Sequence, residues 1–445
     1  MRARFIPPQP DTFRLEKNKR DMTRCGIVAH HFSTAHRREQ AHSAFFTPIV
    51  QPTWVSLTLA KRFAFYSIRF TMTLSQSALQ HLVNKLMRRD RLRNHGARIV
   101  DELTIRGFDA LVLENSLLRV TILPELGSDI VEFRYKPLDL DVMWRTPNGF
   151  WTLEKVYPSD TTSRREFLDY YPGGWQEILP NGGAATTVAG ATYPTQGETS
   201  LLPWSWQIVE DTPERVAVKL TARSLRSPLL IEKTLSLGET SALKIDETLT
   251  NLGLVPFDLT WGHHPAFGAP FLDGDCVIDV PPCTALAHPQ LRYETQRLVP
   301  GQEFAWPMGP GRDGSLVDVS RVQPPGAGTA DMLYLKDLPE GWYAITNQRM
   351  KVSFGMAWTL DAFPHLWFWN EANGTFEYPW YGHSYVLALE PWTHYPGDSL
   401  AGAIERHQQM TLQPGEQRNV QLTAAIGTGM SRVAGFSLDG VFIGV

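Results

Sequence analysis

From about residue 97 onward the chain is written in short apolar runs spaced at two, rich in Val, Ile and Leu and broken by glycine and proline. That period puts alternate side chains on opposite faces of an extended strand, whereas a helix would need a repeat near 3.6. Ala110–Tyr135 offers two such runs split by the turn signal Pro124–Gly127. The stretches ERVAVKLTARS, LLIEKTLSLGETSALKIDETLTNLG and HSYVLALEPW repeat the theme, and Ile231/Lys233 and Leu243/Ile245 alternate with polar neighbours. No 20–50-residue self-similarity is visible, which disfavours a propeller or solenoid. The expected fold is all-β: one large antiparallel β-sandwich or barrel over 97–430, followed by a C-terminal tail at 431–445.

The N-terminal part is a different kind of sequence. Residues 1–100 hold 18 Lys and Arg against 5 Asp and Glu, while the remainder holds 24 against 41. Only Trp54 of the 14 tryptophans precedes residue 140. Residues 1–71 show no sustained period and are interrupted by Pro7, Pro8, Pro10, Pro48 and Pro52, so they are expected to be a disordered basic extension or to precede a true start at Met72. Residues 72–96 are expected to form a helical lead-in, with Leu79, Leu82, Val83 and Leu86 on one face. The run Ser43–Ala60 is broken by Pro48 and Pro52 and is too mixed to span a bilayer. No secretory signal pattern is present. Over the whole chain the formal charge is −4, which argues against nucleic acid as a partner, and three cysteines without C-x-x-C spacing point to thiols in a reducing, cytoplasmic compartment. Oligomeric state is not legible.

The chain has no G-x-G-x-x-G after a strand, no Walker A, no H-E-x-x-H and no G-x-S-x-G elbow, so nucleotide, hydride and serine-hydrolase chemistry lack their machinery. Three clusters stand out instead: Asp169–Gly183 (DYYPGGWQEILPNGG), Thr260–Gly268 (TWGHHPAFG) and Leu387–Asp398 (LALEPWTHYPGD). Each has a plain structural reading: a loop plugged by Trp175, a satisfied core histidine, a turn-capping Glu390. His263 and His264 are neighbours in a strand and point to opposite faces, so they cannot grip one metal ion. Taken together, an imidazole, a carboxylate, amides and many indoles are the composition of a sugar site, with rings against C–H faces and a few polar groups fixing hydroxyls.

The ordered series of motifs from about Ile99 to Leu422 resembles the aldose 1-epimerase, or galactose mutarotase-like, superfamily. LLRVTILPELGSDIVEFRY looks like its opening strands, PGGWQEILPNGG like the loop that begins the sugar cleft, and HHPAFG and LALEP like its two catalytic motifs. The resemblance implies a β-supersandwich with His264 as general acid and Glu390 as general base. It implies that Asp331, in ADMLYL, holds a sugar hydroxyl, with Gln196, Trp175, Gln176, Asn181 and His263 as further substrate contacts. Trp204, Trp206 and Trp369 are alternatives for a second aromatic platform. Gln196-Gly197 stands where the family shows His-Gly, and the arginine of the family's cleft-opening loop has no match in PGGWQEILPNGG.

The implied reaction interconverts the anomers of a free sugar: a base takes the anomeric proton, an acid protonates the ring oxygen, and the opened aldehyde turns before reclosing. Ordinary carboxylate and imidazole pKa values would leave Glu390 and His264 in those states near neutral pH. No cofactor or metal is required, and the implied partner is a small-molecule sugar, with neither nucleic acid nor membrane. Two other readings are a non-catalytic carbohydrate-binding module of the same fold and a sugar-phosphate C1 epimerase, the latter wanting an Arg or Lys cluster at the cleft mouth.

Overall fold

Two antiparallel sheets account for the alternating pattern. The computed structural model describes residues 93–147, 149 and 163–445; the extension 1–71 and most of the lead-in 72–96 lie outside the described residues. A 12-stranded sheet runs from Arg98–Ile105 at one edge, through Trp175–Ile178, Gly262–Phe267, Tyr385–Trp392, His365–Ala372 and Thr329–Lys336 at its centre, to Glu303–Ala305 at the other edge. An 8-stranded sheet has Gln417–Thr428, Ala242–Asn251 and Leu229–Leu237 at its centre. Side chains from both sheets make one core, in which Val120, Ile122, Phe133, Leu387 and Leu389 join Val218, Ile231, Ile245 and Leu422. This is the sandwich that alternation demands, with one face of each sheet turned inward.

Three details go beyond the alternation pattern. The first apolar run after Ala110 is itself a hairpin, Phe108–Glu114 against Leu118–Leu123. Its turn is made by Asn115, whose Oδ1 accepts from the backbone N–H groups of Leu117 and Leu118 at 2.7 Å each, a local bond that asparagine offers in place of the ladder. Within the C-terminal tail 431–445, Val433–Phe436 pairs with Phe442–Gly444, and Val433 and Phe436 pack on Trp342, Ala344, Ala357 and Ala425. Lys233 and Glu247 occupy inward positions in strands otherwise apolar on that face, and they meet Glu177 and His263 from the large sheet. No described helix is long and apolar enough to cross a membrane.

Candidate active site

The site lies on the face of the large sheet that turns away from the smaller one. Along Tyr385–Trp392, Leu387 and Leu389 enter the inter-sheet core, while Val386, Ala388 and Trp392 join a second cluster on the opposite face. Glu390 shares their parity. The adjacent strand is paired so that Gly262 meets Trp392 and Ala266 meets Ala388, a register that sets His264 opposite Glu390. Same-face side chains directly opposite on paired strands are neighbours. His264 Nε2 accordingly stands 3.5 Å from Glu390 Oε1, both side chains almost fully buried. Alternation sends His263 the other way, into the core.

Trp392 holds the carboxyl from beside: its Nε1 donates to Glu390 Oε2 at 2.9 Å. The indole stacks on Trp367 with centroids 4.2 Å apart. It also lies so close over Gly262 that a Cβ there would come within 2.2 Å of the ring, and within 2.3 Å at Gly182. These two glycines are thus spaces for an indole. On the histidine side, the Tyr171 hydroxyl lies 3.2 Å from His264 Nδ1.

The pair forms part of the floor of a cavity of about 540 Å³, a size suited to small molecules. Its walls come from the helix Ser163–Tyr170 through Phe167 and Leu168, from Tyr171, from Trp367, Trp369 and Trp380, and from His288 and Arg292. The indoles brace one another: Trp144 meets Trp369 at 6.2 Å and Trp380 at 5.4 Å, both edge to face. Gln196 lines the cavity with its backbone at φ 58° and its side-chain carbonyl accepting from Gly183 N–H at 2.9 Å.

Burial reverses the expected charge states of the pair. It pushes the Glu390 carboxyl up to about 8, against the Trp392 hydrogen bond and the field of Arg292. It pushes the His264 imidazole down to about 4. Desolvation disfavours whichever form is charged, so the acid keeps its proton and the base stays bare. Near neutral pH the pair's titrating proton therefore sits on the carboxyl, not on the imidazole as ordinary pKa values imply.

Of the other residues singled out in the sequence, only Gln196 and Trp369 line the cavity. Trp175 is a core residue that donates from Nε1 to His263 Nδ1 at 3.2 Å. An indole N–H only donates, so the His263 proton sits on Nε2 and points to Glu247 Oε2, 3.1 Å away. Gln176 donates to Asp129 Oδ2 and to the Gly173 carbonyl. Asn181 ties three backbone segments together, donating to the carbonyls of Ala184 and Pro194 and accepting from Leu400 N–H. Asp331 is wholly buried and spent on Arg297, whose Nε lies 2.6 Å from Oδ2 and whose backbone N–H donates to Oδ1. Trp204 is buried under Lys233, whose Nζ lies 4.6 Å from the ring centroid, and Trp206 packs against the same core. In this structure Gln176 and Asn181 thus bond backbone groups of their turn-rich surroundings, which have many such groups to satisfy.

Tyr171, His288, Arg292 and Trp380 were not found from sequence. His288 Nδ1 is 2.7 Å from the Tyr334 hydroxyl, and burial lowers its pKa to about 4, so it is neutral. Tyr171 stood inside a flagged segment and Trp380 within an aromatic run, but His288 and Arg292 follow the short strand Thr284–Ala287 in a stretch without any motif. Among the described residues no group of three or more His, Cys, Asp or Glu is placed to hold a metal ion.

The fold has solved counterparts. A Klebsiella pneumoniae protein described as a "putative aldose 1-epimerase" superposes with a TM-score of 0.58 at 15% identity, over 76% of this chain and 85% of its own. A galactose mutarotase-like protein from Clostridium acetobutylicum superposes with a TM-score of 0.51 at 16% identity, over 75% of this chain and 99% of its own. No curated protein matches the chain in sequence. The family model described as a domain of unknown function, DUF4432, matches residues 105–426. The chain belongs to that family, and its fold is the galactose mutarotase-like β-sandwich.

Proposed function

We propose that the protein is an aldose 1-epimerase-type isomerase, which interconverts the anomers of a free sugar through acid–base ring opening. The observation that carries this reading is the buried His264–Glu390 pair, 3.5 Å apart on the floor of an aromatic-lined cavity. Mutarotation moves one proton off the anomeric hydroxyl and one onto the ring oxygen. A pair that holds a single proton between two groups does both at once: the protonated member donates to the ring oxygen while the bare member takes the hydroxyl proton. With the proton resting on Glu390, ring opening leaves His264 charged and Glu390 ionised. Rotation about C1–C2 and reclosure return both protons and restore the starting state, so the cycle is balanced. Trp369 and Trp380 offer faces for the sugar's C–H surfaces, and Gln196 and His288 offer polar contacts to hydroxyls.

The test is the anomerisation rate of freshly dissolved aldoses, followed by polarimetry or NMR exchange. Acceleration above the buffer rate that is lost in His264→Gln supports the reading. A wild-type protein that binds aldoses and never accelerates their anomerisation is a carbohydrate-binding module instead.

A further inference from the structure

The cavity holds a cation that no described carboxylate pairs. Arg292 lines the same space as Glu390 and is reached by solvent through the open mouth. Its guanidinium lies over the ring of Tyr293, 5.7 Å from the centroid, and among the described residues no carboxylate comes within ion-pair distance of it. Glu377, also on the lining, is exposed and lies outside ion-pair distance of Arg292, and three other acids nearby are engaged elsewhere. Asp398 is bound by two nitrogens of Arg406 at 2.7 Å each, Glu371 accepts from Thr375 Oγ1 at 2.5 Å, and Glu390 accepts from Trp392. Arg292 thus presents to the cavity a solvent-reached guanidinium that no acidic side chain occupies, free to take its counter-charge from a ligand.

We propose that the substrate is an aldose carrying a carboxylate, a hexuronic acid as the class, with Arg292 clamping the carboxylate while the anomeric centre meets His264 and Glu390. The inference rests on the anomerase reading of the same site. Three features select this ligand chemistry. A guanidinium presents two parallel N–H groups that match a carboxylate in a forked pair, whereas a neutral hydroxyl uses one. A phosphate dianion wants more than one cation, and Arg292 is the one arginine among the described cavity-lining residues, with no lysine beside it. In a pyranuronic acid the carboxylate is borne by C5, next to the ring oxygen that the pair must protonate. Arg292 lines the same cavity as His264 and Glu390, so one sugar can reach the clamp and the pair together. Burial also keeps Glu390 protonated, so that carboxyl does not repel an anion.

The experiment compares kcat/KM for anomerisation of glucuronate and galacturonate with glucose, galactose and glucose 6-phosphate, using the full chain as wild type, Arg292→Gln and Arg292→Lys. The expected result is a preference of at least tenfold for the uronate over its neutral parent in wild type. That ratio should fall at least tenfold in Arg292→Gln and be partly kept in Arg292→Lys, which retains the charge and loses the fork. Equal or better turnover of the neutral sugars, a 6-phosphate faster than the uronates, or an Arg292→Gln loss that is the same for both classes would overturn it. If no sugar is anomerised at all, the enzymatic reading fails, and the ligand class is then decided by calorimetric Kd values. Uronate binding that is tighter than neutral-sugar binding and weakened in Arg292→Gln upholds the anionic ligand; equal affinities, or no binding of either, overturn it.

Discussion

His264 Nε2 and Glu390 Oε1 face each other at 3.5 Å across a strand pair whose register leaves no choice of partner. The burial that brings them together also sets which of them is protonated, and this has a direct kinetic signature. Below about 4 both groups carry a proton, and above about 8 neither does. Only between these limits is there one acid and one base. The kcat/KM profile for anomerisation should be bell-shaped, with a His264 limb near 4 and a Glu390 limb near 8. A basic limb near 6.5 would instead mean that the imidazole carries the proton.

Replacing either member should separate activity from stability. His264→Gln and Glu390→Gln each remove one proton-transfer group and should lower kcat by roughly 10²-fold or more. Their stability effects run in opposite directions with pH, because burial lowers the His264 pKa and raises that of Glu390. Glu390 has a folded pKa near 8, above its ordinary value, so between the two the native state holds a proton that the unfolded state has lost. Stability then falls as pH rises through that window. Glu390→Gln keeps an acceptor for Trp392 and removes the penalty, so its Tm should gain on wild type between pH 5 and pH 9. A Tm difference that is flat with pH would show that Glu390 does not resist ionisation.

The Gly262 contact predicts a positioning effect. A Cβ placed 2.2 Å from the Trp392 ring must displace the indole, and with it the N–H that holds Glu390. Gly262→Ala should lower kcat more than it raises KM, and shift the basic limb of the pH profile. A parallel loss of folded protein with unchanged kcat per folded molecule would reduce the glycine to a packing role.

How much of this was readable in advance depends on the reach of the signal. Period two in Leu229–Leu237 and Ala242–Asn251 fixed strands and inward faces, and alternation at His263-His264 required that only one face the cavity. Those are local facts. Asp331, Asn181 and Gln176 were expected as ligands from the family resemblance, yet a motif cannot say whether a carboxylate will meet a hydroxyl or the side chain of Arg297, which is 34 residues away in sequence. Arg292 was invisible for the converse reason. It follows a three-dimensional route into the cavity from a stretch with no periodicity, and its importance lies in the lack of an ion partner, a property that exists only once the chain is folded.

Trp175 and Trp369 should behave oppositely when truncated. Trp175 is enclosed in the core and anchors His263, so Trp175→Ala should cost roughly 3–5 kcal/mol of stability and alter sugar affinity little in the protein that remains folded. Trp369 lines the cavity, so Trp369→Ala should weaken sugar binding beyond any loss in Tm. Calorimetric Kd values beside melting curves decide both.

The last prediction concerns the charges between the sheets. Lys233 and Glu247 are register partners in the smaller sheet, and His263 and Glu177 are register partners in the large one. The contacts cross the gap, with Lys233 Nζ 3.0 Å from Glu177 Oε2 and His263 Nε2 3.1 Å from Glu247 Oε2. Four polar side chains thus fasten the two sheets directly behind His264. Lys233 is the ammonium among them, and burial pushes His263 down to about 4. It also pushes Glu247 up to about 7 and raises Glu177, with the lysine opposing both rises. Lys233→Met preserves the stem that covers Trp204 but leaves two buried carboxyls uncompensated, a loss of roughly 3–5 kcal/mol when both are ionised. With the lysine gone, both folded pKa values rise further, so the native carboxyls hold protons that the unfolded chain releases, and the deficit grows from pH 5 to pH 8. Glu177→Gln on the same background should recover part of it by removing one of the stranded charges. Urea melts of the three proteins at both pH values test this, and a Lys233→Met variant as stable as wild type at pH 8 would mean that the cluster carries no net charge to compensate.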